Sequence, residues 1–399
     1  MIDQICEIDG FRFNAVSAGI KDVGSTRLDL ALIATEAPAV TVGLTTTNLV
    51  YAAPVAVTRQ RLAGGRCSAI LMNSGNANAY TGRRGMEAAL QLTGSVAECL
   101  DVAPELVIPM STGVIGNPMP TERIMQRVPA LVNGLAPEKL MDVARAIMTT
   151  DTKPKTVSRG VELSSGPCMM AGVAKGGGMI APNMATMLAV IMSDVNADPV
   201  FLKDALSRAN RVSFNAITID GDMSTNDTVV VMAGGRNDAR RLTGGADEEA
   251  FSALLNEVCY DLAGQMVRDG EGATKFVEVR VIGAVDEPSA EKVARTIAES
   301  LLVKTAFNGE DPNWGRIICA AGRSGVPFDP DRLDLFLGDV PVVRNGVLVE
   351  NDWESAAHSV MKRPEFSVTL DLKNGSAQAR LLTTDLSREY VSINADYRS

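Results

Sequence analysis

Short apolar runs such as Cys67–Asn73, Met187-Leu188-Ala189-Val190-Ile191-Met192 and Thr228–Ala233 alternate with amphipathic stretches and glycine turns along the 399 residues. A chain patterned this way must bury strands and helices against one another, which signals a mixed α and β architecture. Strands are expected at Ala53–Thr58, Cys67–Asn73, Cys168–Ala174, Thr186–Ser193 and Thr228–Ala233. Helices are expected at Gly85–Leu100, Thr121–Val132, Glu138–Met148, Val200–Arg211 and Glu248–Val267. Pro137 and Pro199 suit first-turn positions, and Asp198 can accept from exposed first-turn amides. No fixed-period repeat interrupts the pattern. Near Gly283 an acidic bend, Asp286-Glu287-Pro288, precedes a helical stretch at 290–301, and strands turned as hairpins at Asn345-Gly346 and Asn374-Gly375 follow. The expected domains are therefore 1–282 and 283–399.

Composition narrows the class. An apolar content of 46% is ample for a sizeable core, and this length suggests two or three domains. A formal charge of -10 argues against a nucleic-acid partner, which requires a basic face. Met1-Ile2-Asp3-Gln4-Ile5 lacks the basic and apolar regions of a secretion signal, and no apolar stretch approaches the roughly 20 residues that span a bilayer. A soluble cytoplasmic protein, with no membrane partner, is expected. Cys6, Cys67, Cys99, Cys168, Cys259 and Cys319 are scattered without a Cys-x-x-Cys pair, so they read as buried reduced thiols. A zinc cluster needs closer spacing and more histidine than His358 alone, and no metal is expected.

Chemistry concentrates in Lys175-Gly176-Gly177-Gly178-Met179-Ile180-Ala181-Pro182-Asn183-Met184-Ala185-Thr186-Met187. A threonine directly behind a small residue can attack its own upstream carbonyl. If Oγ1 of Thr186 displaces the Ala185-Thr186 amide nitrogen, ester hydrolysis leaves two chains, the second opening on a free threonine amine. That amine serves as base for its own hydroxyl, with a reference pKa of about 7.7 to 8.0. The alternative is plain: glycine clusters are commonly turns, and a threonine heading an apolar strand is ordinary. With one histidine in the chain, a Ser-His-Asp relay has a single candidate.

Acyl transfer also requires donors for the oxygen on which charge develops. Thr112-Gly113, after the apolar Leu106-Val107-Ile108, offers a hydroxyl and an unobstructed N–H on a tight turn; taken alone it reads better as a simple strand-end turn. Lys175 beside the glycines can meet a substrate carboxylate, against the alternative of a solvated loop lysine. Asp220–Asp227 alternates oxygen ligands as a calcium loop does, but lacks the glycine at position six and the glutamate at twelve, so it reads as a polar loop near the site. Gly176-Gly177-Gly178 lacks the ending of a nucleotide phosphate loop.

The order of several blocks adds a resemblance. Asn73-Ser74-Gly75-Asn76-Ala77-Asn78-Ala79, Ser111-Thr112-Gly113-Val114-Ile115-Gly116, Thr149-Thr150-Asp151-Thr152, the Lys175–Met187 run, Asn308-Gly309-Glu310-Asp311-Pro312-Asn313-Trp314-Gly315-Arg316 and Asn394-Ala395-Asp396-Tyr397-Arg398-Ser399 resemble the self-cleaving ornithine acetyltransferases, the glutamate N-acetyltransferases of arginine biosynthesis. Tyr80 departs from the family pattern, where a small residue or cysteine is expected.

The resemblance implies an α+β fold with an αββα-type layered sandwich and a smaller C-terminal α/β domain. It implies cleavage between Ala185 and Thr186 into an α chain, 1–185, and a β chain from 186, assembled as α2β2. It implies Thr186 as nucleophile, Thr112 and Gly113 as oxyanion donors, and Thr152, Lys175, Thr186, Glu310, Asn394 and Ser399 as substrate-binding residues. The substrates it implies are N2-acetylornithine and glutamate, with no cofactor, and with acetyl-CoA as a donor that some members accept. Two other readings stay open: a self-processing aminopeptidase or amidase with water as acceptor, and a non-catalytic small-molecule binder with an unbroken chain.

Overall fold

A computed structural model describes residues 7–180, 187–350 and 352–396. The chain separates into two compact units. One holds the described residues up to Asn215 together with Asp222–Met266; the other holds Ala216–Gly221 and the chain from Val267. Gly283, the expected boundary, falls inside a strand of the second unit.

In the first unit β1 (Phe11–Val16) and β3 (Arg66–Asn73) flank the first half of β2 (Leu30–Thr45), and β4 (Val107–Ser111) runs parallel to β3. The ladder of β2 is broken between Ala34 and Ala39, where Pro38 has no N–H to donate. Beyond that break β2 pairs with β9 (Thr228–Ala233), and the sheet continues through β7 (Leu188–Ser193), β6 (Gly166–Lys175) and β5 (Lys155–Leu163). Strand β8 (Ile217–Thr218) belongs to the second unit.

Helices cover these strands: α1 (Ala53–Leu62), α2 (Gly82–Leu100), α3 (Thr121–Met125), α4 (Val128–Asn133), α5 (Leu140–Ala146), α6 (Pro199–Val212) and α7 (Ala246–Arg268). One core takes Phe13, Ile33, Ile70 and Met110 from the first half of the sheet and Val173, Leu188, Val190 and Val230 from the second, closed by Leu140 and Val143 of α5. The opposite face of the first half, Leu30, Leu32 and Leu71, packs on Leu92, Val96 and Leu131 of α2 and α4. On the second half, Gly172 lies directly beneath Val258 and Leu262 of α7. Helix, sheet, sheet and helix therefore form successive layers, the αββα sandwich expected.

Most elements fall where periodicity places them. Asp198 caps α6 by accepting from Val200 and Phe201 amides at 2.8 and 3.1 Å. The segment 121–132 is two helices rather than one, because Pro129 lacks the N–H needed to continue the first. Ala53–Thr58 is a correction: it opens α1 and is not a strand. Pro54 presets its first turn, and Pro54, Val55, Val57 and Thr58 are all buried, so a helix enclosed on several sides shows no helical period.

The second unit orders its sheet β13 (Val347–Leu348), β12 (Val340–Arg344), β11 (Asp334–Leu337), β14 (Glu365–Asp371), β10 (Phe276–Ala284), β15 (Ala377–Thr384) and β8. It packs on α8 (Glu287–Ala298), α9 (Leu301–Asn308), α10 (Trp314–Gly322) and α11 (Trp353–Met361), with α12 (Arg388–Asp396) last. Asn345-Gly346 turns a hairpin between β12 and β13 as expected. Asn374-Gly375 does not. Strand β10 lies between β14 and β15, and the Asn374 amide donates to the Gly283 carbonyl at 2.7 Å as the chain crosses the end of β10.

Candidate functional site

The turn after β4 is built from the asparagine-rich block. Thr112 donates its amide to the Asn73 carbonyl at 2.9 Å, and the Ala77 amide reaches the Val114 carbonyl at 3.0 Å. Side chains brace the same turn: Ser111 Oγ donates to Asn73 Oδ1 at 2.6 Å, and Asn73 Nδ2 to the Asn76 carbonyl at 2.8 Å. Gly113 has φ +129°, and a Cβ there would stand 2.4 Å from the Gly75 carbonyl carbon and 2.5 Å from the Asn76 nitrogen. Only glycine brings the Thr112-Gly113 backbone this close.

Against this turn lies Lys175, the last residue of β6, opposite Leu188 of β7. Its Nζ donates to Thr149 Oγ1 at 2.8 Å and to Thr112 Oγ1 at 3.3 Å, and stands 4.0 Å from Asp151 Oδ2. Lys175 is thus no solvated loop lysine; it is 6% exposed.

Asp151 is the hub, with its side chain shut away from solvent. It accepts from Lys155 Nζ at 2.6 Å, from the Gly176 amide at 2.7 Å and from the Thr149 amide at 2.9 Å. Burial alone would raise its pKa, but Lys175, Lys155 and the hydrogen bonds outweigh it and hold the carboxyl well below the usual range. Two ammonium groups, Lys155 and Lys175, flank this carboxylate, and that of Lys175 also reaches the Thr112 hydroxyl. Such a place suits an anionic substrate and a developing oxyanion.

The polar loop joins the same region. Asn226 Nδ2 donates to the Ala77 carbonyl at 2.6 Å and the Ser111 carbonyl at 2.8 Å, locking the asparagine block to the strand before Thr112. Asp227 is 2% exposed, and burial pushes its carboxyl well above the ordinary range.

Of the remaining expected residues, Thr152 follows Asp151 and is exposed. Glu310 and Asn394 lie in the second unit. Glu310 accepts from Lys275 Nζ at 2.7 Å, which lowers its pKa, and its carbonyl meets His358 Nδ1 at 2.9 Å. Asn394 Nδ2 donates to Glu271 at 2.7 Å. Ala185, Thr186 and Ser399 lie outside the described residues; Met187 is the first described residue after the expected cleavage point.

Thr149, Asp151 and Lys155 carry no site role in the sequence reading, which places Asn226 and Asp227 only within a polar loop near the site. Their signal is spatial, since Asp151 gains its meaning only from Lys175, far along the chain. Among the described residues, no group of three or more His, Cys, Asp or Glu is placed to hold a metal, and no helix is long and apolar enough to cross a membrane.

Known proteins resemble this chain over nearly its whole length. The model of the ArgJ family matches residues 12–399. The arginine biosynthesis bifunctional protein ArgJ of Geobacter sulfurreducens is 51% identical over 393 residues, covering 98% of this chain and 100% of that protein. The same-named protein of Desulfotalea psychrophila is 48% identical over 394 residues, with 98% and 100% covered. Among solved structures, ArgJ of Bacillus halodurans is 41% identical at a TM-score of 0.49, covering 51% of this chain and 96% of that one. Ornithine acetyltransferase of Mycobacterium tuberculosis, solved with ornithine, is 37% identical at a TM-score of 0.41, covering 44% and 93%.

Proposed function

The chain belongs to the ArgJ family, and from that premise we propose that it is an acetyltransferase of arginine biosynthesis, moving the acetyl group of N2-acetylornithine to glutamate. The observation that carries the reading to this site is the placement of Lys175 Nζ against Thr112 Oγ1, a cation and a hydroxyl donor converging beside the strand that follows Thr186.

Thr186 first cuts its own chain: its hydroxyl attacks the Ala185 carbonyl, the amide becomes an ester as the C–N bond breaks and the threonine amine is released, and hydrolysis of the ester separates the two chains and restores the hydroxyl. In the mature enzyme that amine takes the proton from Oγ1, which attacks the acetyl carbonyl of N2-acetylornithine. Thr112 and the Gly113 N–H stabilise the oxyanion, ornithine leaves, and an acetyl-threonine ester remains. The glutamate amine then attacks the ester through the same oxyanion site and departs as N-acetylglutamate. Lys175, beside Asp151, holds the substrate carboxylate; Thr152, Glu310, Asn394 and Ser399 are carried over as further substrate contacts on the family resemblance. No metal or redox cofactor enters any step.

Acetyl-CoA is carried over as a second donor on the family resemblance. The cut chains, 1–185 and 186–399, pair as α2β2 in the cytoplasm. Edman sequencing of purified protein tests the cut, with Thr-Met-Leu-Ala expected as a second N-terminus. Acetyl transfer assayed with and without glutamate tests the reaction: a transferase requires the acceptor, whereas an aminopeptidase or amidase releases acetate at one rate in both. An unprocessed chain without turnover would leave only a binding protein.

A further inference from the structure

Two buried lysines meet Asp151, and the reaction above uses only Lys175. Lys155 opens β5 and Lys175 closes β6, and in the antiparallel ladder Lys155 stands opposite Ala174, the neighbour of Lys175. Successive side chains leave a strand on opposite faces, so the two lysines come to the carboxylate from different sides. Each faces its own oxygen. Lys155 Nζ donates to Asp151 Oδ1 at 2.6 Å, whereas Lys175 Nζ stands 4.0 Å from Oδ2. The lysine side chains are 1% and 8% exposed. One ammonium is enough to neutralise one carboxylate, and burying a second is costly, so its presence calls for a reason beyond packing.

The hydrogen bonds supply that reason. The Gly176 amide donates to Asp151 Oδ1 at 2.7 Å and the Thr149 amide to Oδ2 at 2.9 Å, so backbone groups hold the carboxylate in place. Lys155 also donates to the Lys153 carbonyl at 3.3 Å. Lys175 donates instead to Thr149 Oγ1 at 2.8 Å and Thr112 Oγ1 at 3.3 Å. Against the burial of Asp151, the lysines and hydrogen bonds keep it ionised. Charges this close and this poorly screened attract strongly. With Lys155 bound, the charge of Asp151 is already met. Without Lys155, the fixed carboxylate would draw the Lys175 ammonium from 4.0 Å into direct contact and away from Thr112.

We propose that Lys155 is a positioning residue: by pairing with Asp151 it keeps Lys175 out of a direct ion pair and turned toward Thr112, where its ammonium can meet a substrate carboxylate. The inference rests on the proposed hold of Lys175 on that carboxylate, and it names the group that stops the hold from being spent inside the protein.

The test compares N2-acetylornithine with its carboxamide, which has no carboxylate, as acetyl donors to glutamate in cleaved enzyme. Wild type should prefer the acid. Lys155→Gln keeps a donor for Asp151 but no charge. In it the ratio of kcat/KM for the acid to that for the carboxamide should fall roughly tenfold, through a higher KM for the acid, while the carboxamide reacts nearly as in wild type. Lys155→Arg, which keeps the charge, should retain most of the preference. An unchanged ratio in Lys155→Gln, or an equal loss for both donors, overturns the inference. So does failure of both Lys155→Gln and Lys155→Met to give folded, cleaved protein, which assigns the pair to structure. A wild-type enzyme that uses both donors alike fails at an earlier point, the role proposed for Lys175, and takes the inference with it.

Discussion

Lys175 Nζ donates to Thr112 Oγ1 at 3.3 Å. A hydroxyl that accepts from an ammonium group has its own proton turned elsewhere, here available for a substrate oxygen. Thr112→Val keeps the shape and removes the donor, so kcat should fall roughly a hundredfold, about 3 kcal/mol of barrier, with KM changed little. Thr112→Ser should keep most of the rate. Steady-state acetyl transfer on cleaved enzyme measures both, and a valine variant with wild-type kcat would remove Thr112 from the oxyanion site.

Asp151 joins Lys155 and Lys175 in one buried group. Asp151→Asn strips the counter-charge from both lysines and should cost about 3 to 5 kcal/mol of stability, as breaking buried pairs does. The acid behaviour follows from its depressed pKa. The stabilisation is whole above the unfolded carboxyl pKa of about 3.9 and is lost as pH falls below it toward the lower folded value. Urea unfolding of wild type and variant should therefore converge below pH 4. Curves that stay parallel from pH 7 to pH 3 would contradict this.

How much of this was readable beforehand differs by element. β9 at Thr228–Ala233 and α6 behind Asp198 and Pro199 declare themselves, because local periodicity and capping decide them. α1 hides, since burial of Pro54, Val55, Val57 and Thr58 together erases the helical stripe. The strands around Asn374 mislead because a turn dipeptide fixes the bend but not the partner, and β10 enters between them from about ninety residues earlier in the chain. At the site, Thr112, Gly113 and Lys175 stand out by motif. Asp151, Asn226 and Asp227 do not, because an aspartate in a polar segment looks solvated until the fold buries it.

Cysteine reactivity separates surface from core. Burial pushes the Cys67 thiol up to about 12 and Cys168 up to about 11, and raises Cys259 as well, whereas Cys99 and Cys319 are exposed. The thiolate is the reactive form, so a disulfide reagent at pH 8 should label Cys99 and Cys319 in native protein and reach the other three only on unfolding. A Cys6→Ser background keeps the count clean. Rapid native labelling of Cys67 or Cys259 would show a looser core than this one.

In the second unit Lys304 is 2% exposed, and its Nζ donates to Thr383 Oγ1 and Thr384 Oγ1, both at 3.1 Å. These acceptors are neutral, and burial lowers the lysine pKa from 10.5 to about 8, against opposing pulls from Asp385, Asp220 and Glu299. Below about pH 8 both folded and unfolded chains hold this proton, and the folded chain bears the full burial cost. Between about 8 and 10.5 the folded chain has released the proton while the unfolded chain keeps it, so the unfolded state binds more protons and stability rises with pH. At 1.36 kcal/mol per pKa unit the rise amounts to about 3 kcal/mol. Lys304→Met has no such group, so wild-type stability minus variant stability should climb by that order between pH 8 and 10.5, the other titrating groups cancelling in the difference. Urea denaturation at fixed ionic strength provides the curve; a difference that stays flat across this interval would mean that Lys304 keeps its charge in the folded core.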